Sequence, residues 1–267
     1  MKPSTPSSKR MFSLGLAAAT LLAASGIQAQ TALDDIMKAR EIKIAIPTDF
    51  PPYGSVGTDL KPQGLDIEMA QYIAQKLGVK VELVPVTTAN RIPYLQTKKV
   101  DLVISTLGKN PERERVVDFT IAYSPFFIAV FGPKTMAVKG APDLAGKSIS
   151  VTRGSVDDLE LTKVAPPSTE MRRFEDNNST VAAFVAGQVQ LVATSAQVAG
   201  SMMAKNPQLG TEYKFVLKDS PNFIGVAKGE DKLRTKVNDI ITEAKKSGDL
   251  DKIAVKWLGR PTGDLPL

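Results

Sequence analysis

The sequence predicts an α/β protein of two lobes, each a mostly parallel sheet flanked by helices. Short apolar or alternating segments, typical of strands, are followed by segments with helical periodicity or helix-capping residues. This strand–helix series occurs twice, as expected when each lobe has its own sheet. The apolar stretch 124–133, which contains prolines, separates the two series and is expected to cross between the lobes, and a second crossing is expected near Ser220 and Pro221.

The first series begins with the alternating strand 42–46, which is followed by three prolines within the next six residues. A helix over 65–77 comes next, because apolar residues recur there every four positions and Gly78 stands where a C-terminal cap belongs. The later elements are strands at 79–83 and 102–104, a short helix at 92–96, and a helix capped by Asn110 and opened by Pro111.

The second series begins with the strand 148–151 and a helix in which Ser155 and Asp158 form a pair resembling a capping box. The remaining elements are a helix from Asn178 to about Gly187, strands at 191–193, 215–217 and 223–227, and C-terminal helices over 231–246 and up to Leu258.

The positions of the crossings divide the chain into discontinuous units. Lobe 1 is predicted to combine residues 30–126 with 222–260, and lobe 2 to comprise 127–221. Residues 261–267 contain two prolines and a glycine, so they are expected to form a loose C-terminal tail.

Residues 1–29 are expected to be a signal peptide that is cleaved after Ala29. Lys2, Lys9 and Arg10 form a basic start, and the apolar stretch that follows is too short to span a bilayer. Cleavage removes three basic residues and no acidic one, which lowers the formal net charge of +6 by three. Such a weakly positive chain is not expected to bind nucleic acid. An exported chain without cysteine indicates the bacterial periplasm.

The composition excludes several kinds of chemistry. The chain has no cysteine, which excludes a disulfide scaffold, a thiol nucleophile and a zinc–thiolate site. It also has no histidine, which excludes a Ser-His-Asp triad and metal sites with histidine ligands.

Three turns follow predicted strands and open predicted helices, at 105–113, 153–158 and 194–197. In open α/β sheets, ligands bind beyond the carboxyl ends of the strands, where helix N-termini present their amides. We therefore expect these turns on facing walls of one cleft.

Four motifs, in their order and spacing, resemble one known family. They are the strand and aromatic loop 46–53, the helix motif 64–70 with 77–79, the run 100–105 with 111–113 and 117–120, and the C-terminal ending 245–259. The sequence resembles the periplasmic polar amino-acid-binding proteins of ABC importers, which are the bacterial extracellular solute-binding proteins of family 3. The resemblance covers nearly the whole chain after residue 29.

The resemblance implies a two-lobed periplasmic binding protein of the type II, Venus-flytrap kind. It implies a monomer that captures a small solute by hinge closure and docks on an ABC permease in the inner membrane. It implies no cofactor, no metal and no catalytic residue.

By this resemblance, Arg113 is expected to bind the α-carboxylate of the ligand with both arms of its guanidinium. Arg113 also stands in a predicted first helical turn, where the helix dipole disfavours a cation and favours an anion. Thr106 and Gly108 match positions whose backbone amides or hydroxyl touch the same carboxylate. Ser155 and Val156 match the contribution of the opposite lobe through a helix N-terminus.

Further positions match the ligand's surroundings. Phe50 matches an aromatic position that stacks on the ligand side chain, although its neighbouring prolines equally suit a loop pinned to the core. Asp49 lies beside it, Thr88 matches a position that often carries a larger residue, and Ser105 stands between the strand 102–104 and Thr106.

Ser195 departs from the family pattern, because it stands where an aspartate usually binds the ligand's ammonium group. A buried ammonium without an acidic partner is unfavourable, so an α-amino ligand needs another acid. Asp157 is the first candidate, with Asp49 and Asp158 as weaker ones. Alternatively, the ligand is an organic acid without a free α-amine.

The sequence therefore predicts the binding receptor of an ABC importer, with a small carboxylate-bearing solute, most simply an amino acid, as its ligand. The alternative from another class is a periplasmic enzyme on the same scaffold, such as a lyase resembling cyclohexadienyl dehydratase. That enzyme needs a general acid in the cleft, and without His or Cys only Asp, Glu, Lys or Tyr remains.

Overall fold

A computed structural model describes residues 30–266; the predicted signal peptide and Leu267 lie outside the described residues. The strands are β1 (Glu41–Ile46), β2 (Asp49–Phe50), β3 (Gly54–Val56), β4 (Pro62–Gln63), β5 (Lys80–Pro85), β6 (Leu102–Gly108), β7 (Val117–Ser124), β8 (Phe127–Pro133), β9 (Ser148–Thr152), β10 (Glu170–Phe174), β11 (Leu191–Ser195), β12 (Thr211–Asp219) and β13 (Asn222–Ala227).

The α-helices are α1 (Ala32–Ala39), α2 (Leu65–Leu77), α3 (Arg91–Gln96), α4 (Pro111–Glu114), α5 (Val156–Val164), α6 (Asn177–Val185), α7 (Ala196–Lys205), α8 (Asp231–Ser247) and α9 (Asp249–Leu258). Within residues 30–266, no helix combines the length and apolar character needed to span a bilayer.

The two five-stranded sheets have the same mixed topology. The first sheet has the order β5-β1-β6-β13-β7 and the second the order β10-β9-β11-β8-β12. In each sheet the first three strands are parallel and the last two pair antiparallel. The α/β architecture is confirmed, and each sheet is mixed because one of its five strands, β13 in the first sheet and β8 in the second, runs antiparallel to both of its neighbours.

Helix α2 confirms the helix that the four-residue spacing of apolar residues predicts over 65–77. Leu65, Met69 and Ile73 are fully buried on the face that packs against the first sheet, and hydrophobic burial of such side chains contributes about 1.5–3 kcal/mol each. Gly78 ends the helix with a φ of 71° and donates its amide to the carbonyls of Ala74 and Gln75. A left-handed residue at this point favours glycine.

Two short segments run side by side between the sheets. Residues 125–126 connect β7 to β8, and residues 220–221 connect β12 to β13. The Ser220 amide donates to the Phe126 carbonyl at 2.9 Å, and the Asn222 side-chain amide donates to Ser124 Oγ at 2.9 Å. The polypeptide therefore passes between the sheets through two strand-like segments joined by hydrogen bonds.

Residues 261–266, predicted to form a C-terminal tail, have no helix or strand but contact the rest of the chain. Thr262 donates its amide and hydroxyl to Asp251 Oδ1, at 2.9 and 2.7 Å. The Pro266 carbonyl accepts from the Ala122 amide on the edge strand β7. These three hydrogen bonds connect the segment to α9 and to the edge strand β7.

Candidate functional site

Arg113 lies between the two sheets. Helix α4 starts as predicted, since Asn110 Oδ1 accepts from the Arg113 amide at 2.8 Å and Pro111 occupies the first helical position. The Arg113 side chain is only 8% exposed. Its Nη1 donates to the Gly108 carbonyl at 2.6 Å, and its Nη2 donates to the Gly154 carbonyl at 2.9 Å. Gly154 follows β9 of the second sheet, so this guanidinium bridges the two halves of the fold.

Burial lowers the pKa of Arg113 to about 10, while the Asp157 and Glu112 carboxylates favour its charged form. The guanidinium is therefore still charged at neutral pH. A buried charged fork that is held by two backbone carbonyls can exchange those neutral acceptors for the two oxygens of a carboxylate, which makes stronger hydrogen bonds.

The opposite wall is the N-terminus of α5. Ser155 caps the helix, with its Oγ accepting from the Asp158 amide at 3.1 Å. Val156 is buried against Gly108: a Cβ on Gly108 would lie 2.7 Å from Val156 Cγ2 and 2.6 Å from Ser220 Oγ. The glycine at this position lets the two walls meet.

Gly108→Ala is expected to disfavour the contact between the walls by about 1–3 kcal/mol, because Val156 must move aside. Small-angle X-ray scattering should show a larger radius of gyration for the ligand-free variant than for the parent protein. Gly200→Ala is the matched control, since an added Cβ there meets no atom within 4 Å. An unchanged radius for Gly108→Ala would contradict the role given to this glycine.

Asp157, beside Val156, carries an unpaired buried oxygen. Its side chain is 6% exposed, and Oδ1 has no hydrogen-bond partner among residues 30–266. Burial raises the pKa of this carboxyl to about 6, against the lowering effects of Ser155 and of the Arg91 charge. Such a group is unfavourable unless a donor reaches it. The Asp157 oxygen is thus a ready acceptor for a cationic or N–H group.

The other two candidate acids already have partners. Asp158 accepts from the Gly154 amide at 3.0 Å and pairs with Arg173 Nε at 2.7 Å. Asp49 Oδ2 accepts from the backbone and side-chain amides of Asn177, at 2.7 and 3.1 Å. Asn177 is the first residue of α6, so Asp49 connects β2 to a helix that packs on the second sheet.

Asp49→Ala is expected to weaken this connection by about 1–2 kcal/mol, since a carboxylate at a helix N-terminus makes charge-assisted hydrogen bonds. Solution scattering of the ligand-free variant should report a shift toward more open particles. Asp239→Ala, on the exposed face of α8, serves as the control. Identical scattering curves for both variants would show that the Asp49 contact does not hold the halves together.

The predicted aromatic residue, Phe50, lies in a cluster of buried aromatic rings. Phe50 is buried, its ring 6.0 Å from that of Tyr53 and 6.2 Å from that of Phe126. The Tyr53 hydroxyl in turn donates to the Pro125 carbonyl. This placement supports the interpretation of Phe50 as a residue that pins its loop to the core.

The end of β6 forms a bulge at Thr106. Thr106 has a φ of 44°, and the register between β6 and β13 shifts here. Its amide donates to Asp66 Oδ2 at 2.8 Å, so this amide is not free to bind the ligand's carboxylate. Of the two predicted contacts of Thr106, amide and hydroxyl, only the hydroxyl is left for the ligand. Ser105 is buried, and its carbonyl accepts from Arg91. The strand also continues to Gly108, beyond its predicted end at 104.

Two more predicted residues have structural contacts. Ser195 is fully buried at the end of β11, where its Oγ caps α7 by accepting from the Val198 amide at 3.2 Å. Thr88 is half-buried in a 3₁₀ turn, and its carbonyl accepts from Arg91 Nε at 3.0 Å. Among residues 30–266, no group of three His, Cys, Asp or Glu side chains is placed to hold a metal.

Sequence reasoning missed Arg91 and Asp66. Arg91 opens α3 and is 3% exposed, and Asp66, in the first turn of α2, is 0% exposed. The signal for Arg91 was present: like Arg113, it stands in a first helical turn, where the dipole disfavours a cation. No comparable signal distinguished Asp66, since an acid in a first turn is ordinary.

Comparisons with known proteins agree with this architecture. The L-cystine-binding protein TcyJ of Escherichia coli (strain K12) is 24% identical over 255 residues, which cover 94% of this chain and 96% of that protein. A solved structure of an ancestral arginine-binding protein bound to arginine is 34% identical with a TM-score of 0.78, covering 82% of this chain and 98% of that one.

A second similar structure bears on the enzyme alternative. The ancestral amino acid-binding protein AncCDT-1, titled as a precursor of cyclohexadienyl dehydratase, is 29% identical with a TM-score of 0.76 and covers 85% of this chain and 99% of its own. The sequence model of the bacterial extracellular solute-binding proteins, family 3, matches residues 42–260. The match spans both sheets and both crossing segments, and the chain belongs to this family.

Proposed function

We propose that this protein is the substrate-binding receptor of an ABC importer and that it captures an amino acid between two lobes. One observation carries the proposal: a buried, charged guanidinium on one wall faces the wall that holds a buried carboxylate with an unpaired oxygen. An α-amino acid presents the complementary pair, a carboxylate and an ammonium, on one carbon atom. Family membership and the amino-acid ligands named for the similar proteins support the same ligand class.

The two lobes of the proposal correspond to the two sheets. Residues 30–126 with 222–260 include every strand of the first sheet, and residues 127–221 include every strand of the second. The paired crossings at 125–126 and 220–221 would then act as the hinge. Hinges are short connections that absorb a change in backbone angles while the packed units stay intact.

In the proposed complex, the ligand carboxylate takes the place of the Gly108 and Gly154 carbonyls on Arg113. The α5 N-terminus, with Ser155 and Val156, adds a favourable dipole from the opposite lobe. Because contacts come from both lobes, the ligand stabilises the closed form over the open one, which is the condition for ligand-driven closure.

Asp157 would bind the ligand's ammonium group. Ser195, at the usual acidic position, offers no charge and already caps α7, while Asp49 and Asp158 have partners within the protein. The unpaired Asp157 oxygen favours an amine-bearing ligand over an organic acid without an α-amine, because only the former neutralises this carboxylate.

We propose that the protein is a receptor and not a lyase. The enzyme alternative needs a general acid in the cleft, and Asp157, with a pKa raised to about 6, is the group that would serve. Incubation with a cyclohexadienyl carboxylate that carries a ring hydroxyl, followed by chromatography, separates the two functions. Loss of the ring hydroxyl as water and of the ring carboxylate as carbon dioxide, giving an aromatic product at a catalytic rate, would establish the enzyme.

The further components of the proposal follow the family. The signal peptide 1–29 would be cleaved after Ala29 and deliver a monomer to the periplasm, where the closed form docks on an inner-membrane permease. Size-exclusion chromatography with light scattering tests the monomer.

A thermal-shift panel tests the ligand class. It should contain the twenty common L-amino acids and L-cystine. It should also contain their derivatives with the α-carboxylate converted to a neutral amide, where stable, and the matching acids without the α-amine. A ligand that binds the folded state raises the melting temperature with its concentration relative to Kd. Shifts from one or more amino acids, and none from their amides or amine-free acids, are expected; shifts from amine-free acids alone would contradict the Asp157 assignment.

A further inference from the structure

Arg91 joins two segments that both contribute predicted site residues. Its Nε donates to the Thr88 carbonyl at 3.0 Å, and its Nη1 donates to the carbonyls of Ser105 and Thr106, at 2.7 and 3.1 Å. The side chain is almost completely buried. One guanidinium therefore holds the 3₁₀ turn at Thr88 against the bulge in β6.

The bulge at Thr106 needs such support. Its φ of 44° is a left-handed conformation that β-branched residues rarely adopt. Arg91 binds the carbonyl of this residue, and Asp66 Oδ2 accepts from its amide at 2.8 Å. Asp66 is fixed in turn by the Tyr123 hydroxyl at 2.7 Å. A buried arginine and a buried aspartate thus bind the carbonyl and the amide of this one residue.

The bulge determines where the carboxylate site lies. Gly108, two residues after Thr106, accepts at its carbonyl from Arg113 Nη1 and leaves space for Val156 of the opposite wall. A change in the path of the chain at Thr106 would displace both contacts. Conformations of this kind persist only where the surroundings enforce them, and they cluster at functional sites.

We propose that Arg91 is a positioning residue of the ligand site: it enforces the left-handed bulge at Thr106 and thereby places Gly108 and Arg113 for the ligand's carboxylate. This inference rests on the proposed function, since it assigns Arg91 to the same site. Burial together with the nearby Arg113 charge lowers the pKa of Arg91 to about 9, so Arg91 is still charged at neutral pH.

A double-mutant cycle tests the proposal with four proteins: the parent, Arg91→Met, Thr106→Gly, and the double variant. Glycine adopts a positive φ without steric cost, so a glycine bulge needs less support from Arg91. The probe is the amino acid of the panel above that gives the parent its largest thermal shift, and its Kd is measured by calorimetry. Arg115→Met, at an exposed arginine, is the control.

Arg91→Met is expected to raise Kd about 10-fold or more in the parent background. In the Thr106→Gly background the factor by which Kd rises is expected to be smaller by at least about threefold, because substitutions within one network do not have additive effects. Equal losses in both backgrounds would overturn the proposal. Arg91→Lys, which keeps the charge but not the fork, is expected to fall between the parent and Arg91→Met. If Arg91→Met does not fold, this lysine variant is measured in both backgrounds, with the same criterion.

Failure of this inference can be distinguished from failure of the proposed function. No shift of the parent with any amino acid would overturn the proposed function and the Arg91 proposal together. Binding by the parent with unchanged Kd in Arg91→Met would overturn the Arg91 proposal alone.

Discussion

Arg113→Ala is expected to reduce the affinity for an amino acid by about 100-fold or more. The carboxylate of the ligand would be buried without its charged partner, and breaking a buried charge pair in this way costs about 3–5 kcal/mol. Each 1.4 kcal/mol corresponds to a factor of ten in Kd. Arg113 donates to Gly108 on one wall and to Gly154 on the other. No other positively charged side chain of the proposed carboxylate site reaches both walls.

Calorimetric titration of the parent and variant with the same amino acid measures this loss. Arg115→Ala is the matched control, because Arg115 is exposed two residues along the chain and is expected to leave Kd unchanged. Arg113→Lys keeps a charge but not the planar fork, so it should recover only part of the affinity. Affinities for Arg113→Ala within threefold of the parent would remove the main residue from the proposed site.

Local sequence patterns predicted the helices around the site. The four-residue repeat of α2, its Gly78 cap, and the Asn110–Pro111 start of α4 depend on residues within one or two turns of each other, and all three are confirmed. The bulge in β6 depends on pairing with β13, more than 110 residues away in the sequence. Nothing within the run of β6 itself indicates that pairing, which is why the predicted strand ended too early.

For the acids of the site, the sequence predicted their position near the cleft but not their hydrogen-bond partners. The sequence identified Asp49, Asp157 and Asp158 as acids near the cleft, but their roles depend on the donors that the fold brings to each. Asn177 reaches Asp49 and Arg173 reaches Asp158, whereas Asp157 Oδ1 receives no donor from residues 30–266. Only tertiary structure separates the paired carboxylates from the unpaired one.

Contacts between the walls without a ligand also bear on the strength of binding. Arg113 to Gly154, Asp49 to Asn177, and Val156 against Gly108 each favour the closed arrangement. A ligand shifts the equilibrium only by its preference for that form, so a protein that already favours closure needs less free energy from the ligand. Variants that weaken the Asp49–Asn177 contact or the Gly108–Val156 contact are therefore expected to raise Kd, even if neither Asp49 nor Gly108 touches the ligand.

Asp157→Asn is expected to raise the Kd of an α-amino acid by about 10- to 100-fold. The Kd of an amine-free analogue is expected to stay unchanged or to fall. The carboxylate is expected to balance the ammonium charge, and a neutral amide cannot. Asp158→Asn is the control: it disrupts the pair with Arg173 but is not expected to alter the preference for the amine. Kd values for the amino acid and its amine-free analogue, measured for both variants, give that preference directly.

The pH dependence gives a second and independent measure of Asp157. Its pKa of about 6 in the ligand-free protein means that the carboxylate is ionised above pH 6 and neutral below it. Amino-acid affinity should therefore fall as the pH drops through 6, by up to tenfold per pH unit, and this dependence should vanish in Asp157→Asn. A parent protein whose amino-acid Kd stays constant from pH 7.5 to 5 would contradict ammonium binding by Asp157.

The stability of the ligand-free protein should change in the opposite direction from its affinity. The folded pKa of Asp157 lies above the ordinary value of 3.8, so the folded state binds more protons between about pH 4 and 6, and stability from this group is lost as the pH rises through that window. At pH 7 the buried charge destabilises the fold by up to about 3 kcal/mol. Asp157→Asn is thus expected to raise the ligand-free melting temperature at pH 7, but not at pH 4, while it weakens binding. A residue that lowers the stability of the empty protein and increases its affinity is serving a ligand; a variant that lost both stability and affinity would instead identify Asp157 as part of the scaffold.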